Sequence, residues 1–156
     1  PDFVKPYLAY RGLSGPMWGY GAEVGLHAMR LICSGLFDKY PGLKIVLGHL
    51  GEALPFWLWR IDNRRQKDPS AQFHNKLDRK PSEYIKDNFL MTTSGMFWPP
   101  AFLCSYLALG ADNILFAVDY PWESNKEAVE FMENVQIGDR DKEKIYHLNA
   151  ERFFKL

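Results

Sequence analysis

Apolar positions along the chain fall into short strand-like runs that each give way to a helical period. The first run, residues 43–48, carries Ile45, Val46 and Leu47 and ends on Gly48, His49, Leu50, Gly51 and Glu52. Residues 89–93 form the second, continuing into Thr92, Thr93, Ser94 and Gly95, and residues 114–118 the third, ending on Asp119, Tyr120 and Pro121. Between them Val24, Leu26, Ala28, Leu31, Ile32, Leu36 and Phe37 keep a helical period over residues 22–40, with Pro41-Gly42 as its stop. Leu54, Trp57, Leu58 and Ile61 do the same over residues 52–65, where Pro55 is tolerated in the first turn. Further helices are predicted from Pro81, from Pro99-Pro100 up to a cap at Gly110, around Ala128, Val129, Phe131 and Met132, and over residues 139–147 and 150–154. Residues 1–21, rich in Gly, Pro and aromatics, read as an irregular segment suited to a lid or pocket wall.

Strands alternating with helices specify parallel βαβ units with right-handed crossovers. Polar chemistry then gathers at the carboxyl ends of the strands, the face on which such sheets build their sites. Two strand ends deliver one ionisable group each, His49 and Asp119, and Pro121 bars further ladder pairing beyond the second. Glu52, three residues past His49, can fix the imidazole tautomer, although an acid in a first helical turn is also favoured by the helix dipole.

Composition narrows the reading. In 156 residues, 47% hydrophobic and 15% aromatic content exclude a disordered segment and allow one domain. Nineteen basic and nineteen acidic residues cancel, so no net field recruits nucleic acid or an anionic membrane. No apolar run is long enough to span a bilayer and no charged-then-apolar leader stands at the start, so neither a membrane partner nor secretion is expected. Cys33 and Cys104 lie in separate apolar helical contexts and read as reduced core residues, which fits a cytoplasmic setting. The chain opens on Pro1 without a methionine, consistent with processing or with a piece of a longer protein.

Three strands do not complete a common α/β fold: flavodoxin-like sheets use about five and a closed barrel eight. Leaving about five buried side chains uncovered would forfeit about 7 to 15 kcal/mol, as much as a whole domain's stability. The remainder is therefore expected from elsewhere, or the chain alone associates.

The ordered motifs Gly48-His49-Leu50-Gly51-Glu52-Ala53-Leu54-Pro55, Trp59-Arg60-Ile61-Asp62, Thr92-Thr93-Ser94-Gly95 and Val118-Asp119-Tyr120-Pro121-Trp122-Glu123 resemble the amidohydrolase-related metal-dependent decarboxylases. The branch they are most similar to is that of the γ-resorcylate and 2,3-dihydroxybenzoate decarboxylases, from Gly15-Pro16 to Asn149-Ala150-Glu151-Arg152-Phe153-Phe154. The resemblance implies a distorted (β/α)8 barrel, an α/β TIM barrel, of which this chain is the C-terminal portion with about three parallel βα units. It implies a divalent metal (Zn, Mn or Mg) held by an acidic residue and a histidine of the first strand, a histidine of the fifth and an aspartate of the eighth. Asp119 matches that last ligand and proton donor, His49 the active-site histidine of the sixth strand, and Arg60 an arginine near the family's site. The other ligands would lie upstream of Pro1, so the chain by itself should bind metal poorly. A small aromatic carboxylate is the implied substrate, and a dimer or tetramer the implied assembly.

Plainer roles stand beside these. Trp18, Tyr20, Phe97, Trp98 and Trp122 could sandwich a substrate ring, yet large aromatics more often fill cores. Trp122 stands where the family commonly has phenylalanine, and Met96-Phe97-Trp98-Pro99-Pro100 varies a substrate-wall region. His27 reads as a core or helix-packing histidine, His74 and His147 as surface residues. Two rival functions remain: a hydrolase of the same superfamily, with Asp119 as general base, and a non-catalytic fragment whose open sheet edges self-associate.

Overall fold

The structure, a computed structural model, describes residue 7 and residues 9–68 and 76–156. A short 3₁₀ turn, Arg11–Ser14, leads into α1 (Gly19–Cys33) and α2 (Leu36–Lys39), followed by β1 (Ile45–Leu47). Next come α3 (Leu54–Lys67), α4 (Pro81–Asn88), β2 (Phe89–Thr92), α5 (Pro99–Leu109), β3 (Ile114–Leu115) and α6 (Asn125–Asn134). The chain ends in α7 (Asp139–Glu143), a π turn (Lys144–Leu148) and α8 (Asn149–Phe154). The strands form one parallel sheet in the order β1-β2-β3, as the alternation of elements requires.

Register assigns the two faces of the sheet. Ile45 and Leu47 pair with Phe89 and Met91, and Met91 with Ile114, all on the helix-covered side. There Leu47, Phe89 and Met91 pack with Ile32, Phe37, Tyr84 and Ile85, while Ile114 joins Phe102, Phe131, Met132 and Ile145 in a second cluster. Val46, Leu90, Thr92 and Leu115 share the other face, where a closed barrel has its interior. Val46 is 39% exposed there, and among the described residues β1 and β3 pair only with β2.

Several elements differ from their sequence expectation for local reasons. The helix expected over 22–40 breaks at Gly35, whose φ of 75° lets the backbone turn left-handed and closes α1 through N–H donation to Ile32 O. At its other end α1 starts at Gly19, so residues 19–21 are helical rather than irregular. α3 starts at Leu54, because Glu52 and Ala53 are left-handed and stand outside the helix. The third strand stops after two residues, and beyond it the Thr93 side chain replaces the ladder: Oγ1 donates to Ala117 O at 2.8 Å and accepts from Ala117 N at 3.0 Å.

Cys33 and Cys104 are free thiols, half-buried rather than core, and burial pushes the Cys33 thiol upward against a smaller pull from Arg65. His27 is exposed on α1, not packed in a core, because Gly25 and Ala28 carry that helix's buried stripe. His147 is on the surface beside Glu151, while His74 lies outside the described residues. Among the described residues no helix is long and apolar enough to cross a membrane.

Candidate active site at the carboxyl ends of the strands

β1 hands the chain directly to the site. After Gly48 the backbone stays left-handed through five residues, His49 (φ 50°), Leu50 (54°), Gly51 (83°), Glu52 (52°) and Ala53 (63°). A left-handed conformation costs an L-residue roughly 1–2 kcal/mol, and such strain gathers where a function holds it in place. The turn is closed by N–H donation from Gly51 to Gly48 O at 2.8 Å and from Glu52 to His49 O at 3.3 Å. From below, Ser105 Oγ donates to Leu50 O at 3.0 Å.

This winding sets residues three apart on one side. His49 Nδ1 lies 2.7 Å from Glu52 Oε1, and the other ring nitrogen, Nε2, lies 3.5 Å from Asp119 Oδ2. Asp119 lies four residues past β3, two strands across the sheet, and is itself left-handed at φ 81°. An ionised carboxylate only accepts, so Glu52 takes the Nδ1–H and aims Nε2 at Asp119, a contact that carries a proton on the imidazolium Nε2 or on the aspartic acid. Burial alone lowers the imidazole pKa, but hydrogen bonding and charge from Glu52, then from Asp119, outweigh it and leave His49 raised above 6.5. The His49 and Asp119 side chains are 38% and 39% exposed, open to a ligand, while Glu52 is 11% exposed behind them.

The end of β2 supplies the floor. Ser94 Oγ accepts from the His49 N–H at 3.5 Å and shares a 2.7 Å hydrogen bond with Thr92 Oγ1. Gly95 follows at φ 60°, its N–H donating to Val118 O at 3.2 Å.

The predicted residues thus divide. His49, Glu52 and Asp119 come together. Arg60 is exposed on α3, its guanidinium 6.0 Å from the Trp57 ring centroid, and no described contact joins it to the three. Of the aromatics, Phe97 packs 6.0 Å from Phe131 in the second cluster. Trp18, Tyr20, Trp98 and Trp122 are exposed, so the core role is wrong for them. Two residues close to the site escaped the sequence reading, Gly21 and the full importance of Gly95; a glycine inside a helical period was the available signal for the first.

Among the described residues no group of three His, Cys, Asp or Glu side chains could hold a metal ion. His49 and Asp119 alone fall short of the four or more donors a divalent cation takes, and Glu52 is spent on the far side of the imidazole. The donors among the described residues do not complete a metal site.

Residues 6–156 match the family profile described as Amidohydrolase. The γ-resorcylate decarboxylase of Polaromonas sp. is 43% identical over 156 residues, covering all of this chain and 48% of that protein. Among solved structures, the dihydroxybenzoic acid decarboxylase of Polaromonas sp., with bound manganese and the inhibitor 2-nitroresorcinol, superposes with a TM-score of 0.92 at 43% identity, covering 100% of this chain and 47% of that one. The 5-carboxyvanillate decarboxylase of Sphingomonas paucimobilis does so with a TM-score of 0.90 at 42% identity, over 98% of this chain and 46% of that one. The chain spans about half the length of the relatives it matches, 48% for the first.

Proposed function

The chain belongs to the amidohydrolase family, and from that premise we propose that the protein containing it is a metal-dependent, non-oxidative decarboxylase of a phenolic carboxylic acid. One observation carries the reading: His49 Nε2 and Asp119 Oδ2, from strands two positions apart, meet at 3.5 Å over an open face with Glu52 locked behind the imidazole. Relatives at this level of identity are carboxy-lyases acting on hydroxybenzoates, which supports the same reaction class here. The 156 residues then form the C-terminal portion of one barrel domain, with residues 9–21 toward its pocket wall; residues 1–6 and 8 of the expected wall segment lie outside the described residues.

The chemistry assigns work to each residue. Removing carbon dioxide from an electron-rich ring requires a proton at the ring carbon that bears the carboxylate; the carbon–carbon bond then breaks, its electron pair returns to the ring, and carbon dioxide departs. Asp119 delivers that proton. His49 hydrogen-bonds the reacting carboxylate and shares the proton traffic of Asp119, with Glu52 fixing its tautomer. When bound, a divalent cation such as Mn, Zn or Mg supplies chelation that orients the ring, with Asp119 as one ligand and the rest from outside this chain. Arg60 stands further out, as a carboxylate-attracting or ion-pairing group. Free thiols in a chain of this size fit the cytoplasm, and a dimer or tetramer is the assembly in keeping with the family.

The test is direct. The full-length protein, loaded with Mn²⁺, is expected to convert 2,6-dihydroxybenzoate or a related hydroxybenzoate to the phenol with release of carbon dioxide. Hydrolysis of an ester or amide panel with no carbon dioxide from any hydroxybenzoate would replace this reading by the hydrolase one.

A further inference from the structure

We propose that Gly21 is a positioning residue: the bare α-carbon on the first turn of α1 is the space that the Glu52 carboxylate occupies, and through Glu52 it sets where His49 stands. This rests on the reading of His49, Glu52 and Asp119 as the working group. A Cβ built on Gly21 would stand 2.5 Å from Glu52 Oε2 and 3.5 Å from its Cδ. One turn further along α1, a Cβ on Gly25 would stand 3.3 Å from Glu52 O. The glycine face of α1 therefore meets both ends of the same residue.

The consequences separate fold from site. Glu52 cannot yield toward His49, because its other oxygen is already at 2.7 Å from Nδ1. Nor can its backbone retreat freely, held as it is in the left-handed turn between His49 O and the start of α3. What can move is the end of the side chain, a flexible group free to rotate away from an added methyl. The helix loses nothing by this, since alanine is a better helix former than glycine. The imidazole loses the partner that fixes its tautomer and direction. Among the described residues nothing else about Gly21 demands glycine: it sits in regular α-helix, without the positive φ that explains Gly51 or Gly95.

The experiment uses the full-length protein as wild type, Gly21→Ala, Glu52→Ala and the double variant, with Gly138→Ala as control, where an added Cβ meets nothing within 4 Å. Gly21→Ala is expected to keep or raise Tm, lower kcat on 2,6-dihydroxybenzoate about 10- to 100-fold with KM nearly unchanged, and remove the Nδ1-protonated signature of His49 in ¹⁵N spectra of labelled histidine. The double variant is expected to match Glu52→Ala alone, because the methyl then has nothing to displace. Wild-type kcat with an unchanged His49 spectrum in Gly21→Ala overturns the proposal, as does a double variant whose loss is the product of the two single losses. Should Gly21→Ala fail to fold, a double variant that folds like Glu52→Ala supports the clash, and one that also fails refutes it. If wild type shows no decarboxylation, the proposed reaction is at fault, and the histidine spectra still decide the role of Gly21.

Discussion

Gly95 and His49 approach so closely that a Cβ on Gly95 would stand 2.9 Å from His49 Cδ2 and 3.3 Å from Nε2, with Asp119 Oδ2 at 3.4 Å. The ring and the carboxylate share the space that a methyl would fill, and the φ of 60° is one that L side chains resist. Gly95→Ala is therefore expected to cost about 1–3 kcal/mol of stability and to separate the His49–Asp119 pair. Thermal denaturation should show a Tm lower by several degrees, with turnover falling further than Gly21→Ala; unchanged Tm and turnover would disprove the crowding.

The acid–base balance of His49 sets a pH dependence in the metal-free chain. Its pKa is raised above 6.5, with the two carboxylates outweighing burial. A group whose folded pKa lies above its unfolded value contributes stability that is fully present below the unfolded value and is lost as pH rises through the folded one. Stability should therefore decline from about pH 6.5 upward, through the raised midpoint. The side chain is 38% exposed, so solvent screening keeps the effect modest. Glu52→Gln removes the nearer carboxylate and should move the His49 midpoint down in a ring-proton titration; a midpoint left in place would mean that Asp119 alone governs it.

Both strand ends whose residues meet in the candidate site were legible, because an apolar run that stops on a lone polar residue has the same meaning in a sequence as in a sheet. His49 and Asp119 followed from that rule and Glu52 from its spacing. The spacing worked through a different backbone, however: the three-residue step falls on a left-handed turn, not on the first turn of a helix, and no periodicity distinguishes the two. Gly35 shows the same limit, since the helical period of residues 22–40 continues past a break that depends on one positive φ. The core role expected for Trp18, Tyr20, Trp98 and Trp122 failed because a large aromatic side chain in a sequence does not show whether neighbouring elements cover it.

Two buried amides clasp strand entrances, and neither is visible in a hydrophobic pattern. Asn88 Nδ2 donates to Pro41 O and Leu43 O, both at 2.9 Å, at the approach to β1. Asn149 Nδ2 donates to Ala111 O and Ile114 O, both at 2.8 Å, at the start of β3. Replacing either by alanine removes two donated hydrogen bonds, although Ala111 O keeps the Ile114 N–H, and each carbonyl left without a donor costs about 1–3 kcal/mol when fully buried. We expect a Tm lower by about 5–15 °C for Asn88→Ala and for Asn149→Ala in the full-length protein. A loss below 2 °C would mean that water replaces the amide at no cost.

Asp119→Asn keeps the size of the side chain and its place beside His49 while removing the proton that the proposed reaction needs. In the full-length protein it should abolish turnover, by roughly a thousandfold or more, with Tm within a few degrees of wild type. Near-normal activity would take Asp119 out of its assigned role and leave His49 as the proton source.

The exposed Val46 and the unpaired edges of the sheet make the last prediction. Val46 is 39% exposed, while Leu90 and Leu115 on the same face, outside both helix-covered clusters, are only 5% and 4% exposed, and β1 and β3 each present an unpaired edge among the described residues. Exposed apolar surface beside free ladder groups drives association between chains unless another segment covers it. The 156-residue chain produced alone is therefore expected to sediment as a concentration-dependent oligomer. Val46→Lys, which places a charge on that face without touching either cluster, should shift the distribution toward monomer, whereas the same substitution in the full-length protein should destabilise the fold by burying the charge. A clean monomer of the wild-type 156-residue chain at all concentrations, with Val46→Lys harmless in the full-length protein, would show that this face needs no cover and that the sheet is not an unfinished barrel.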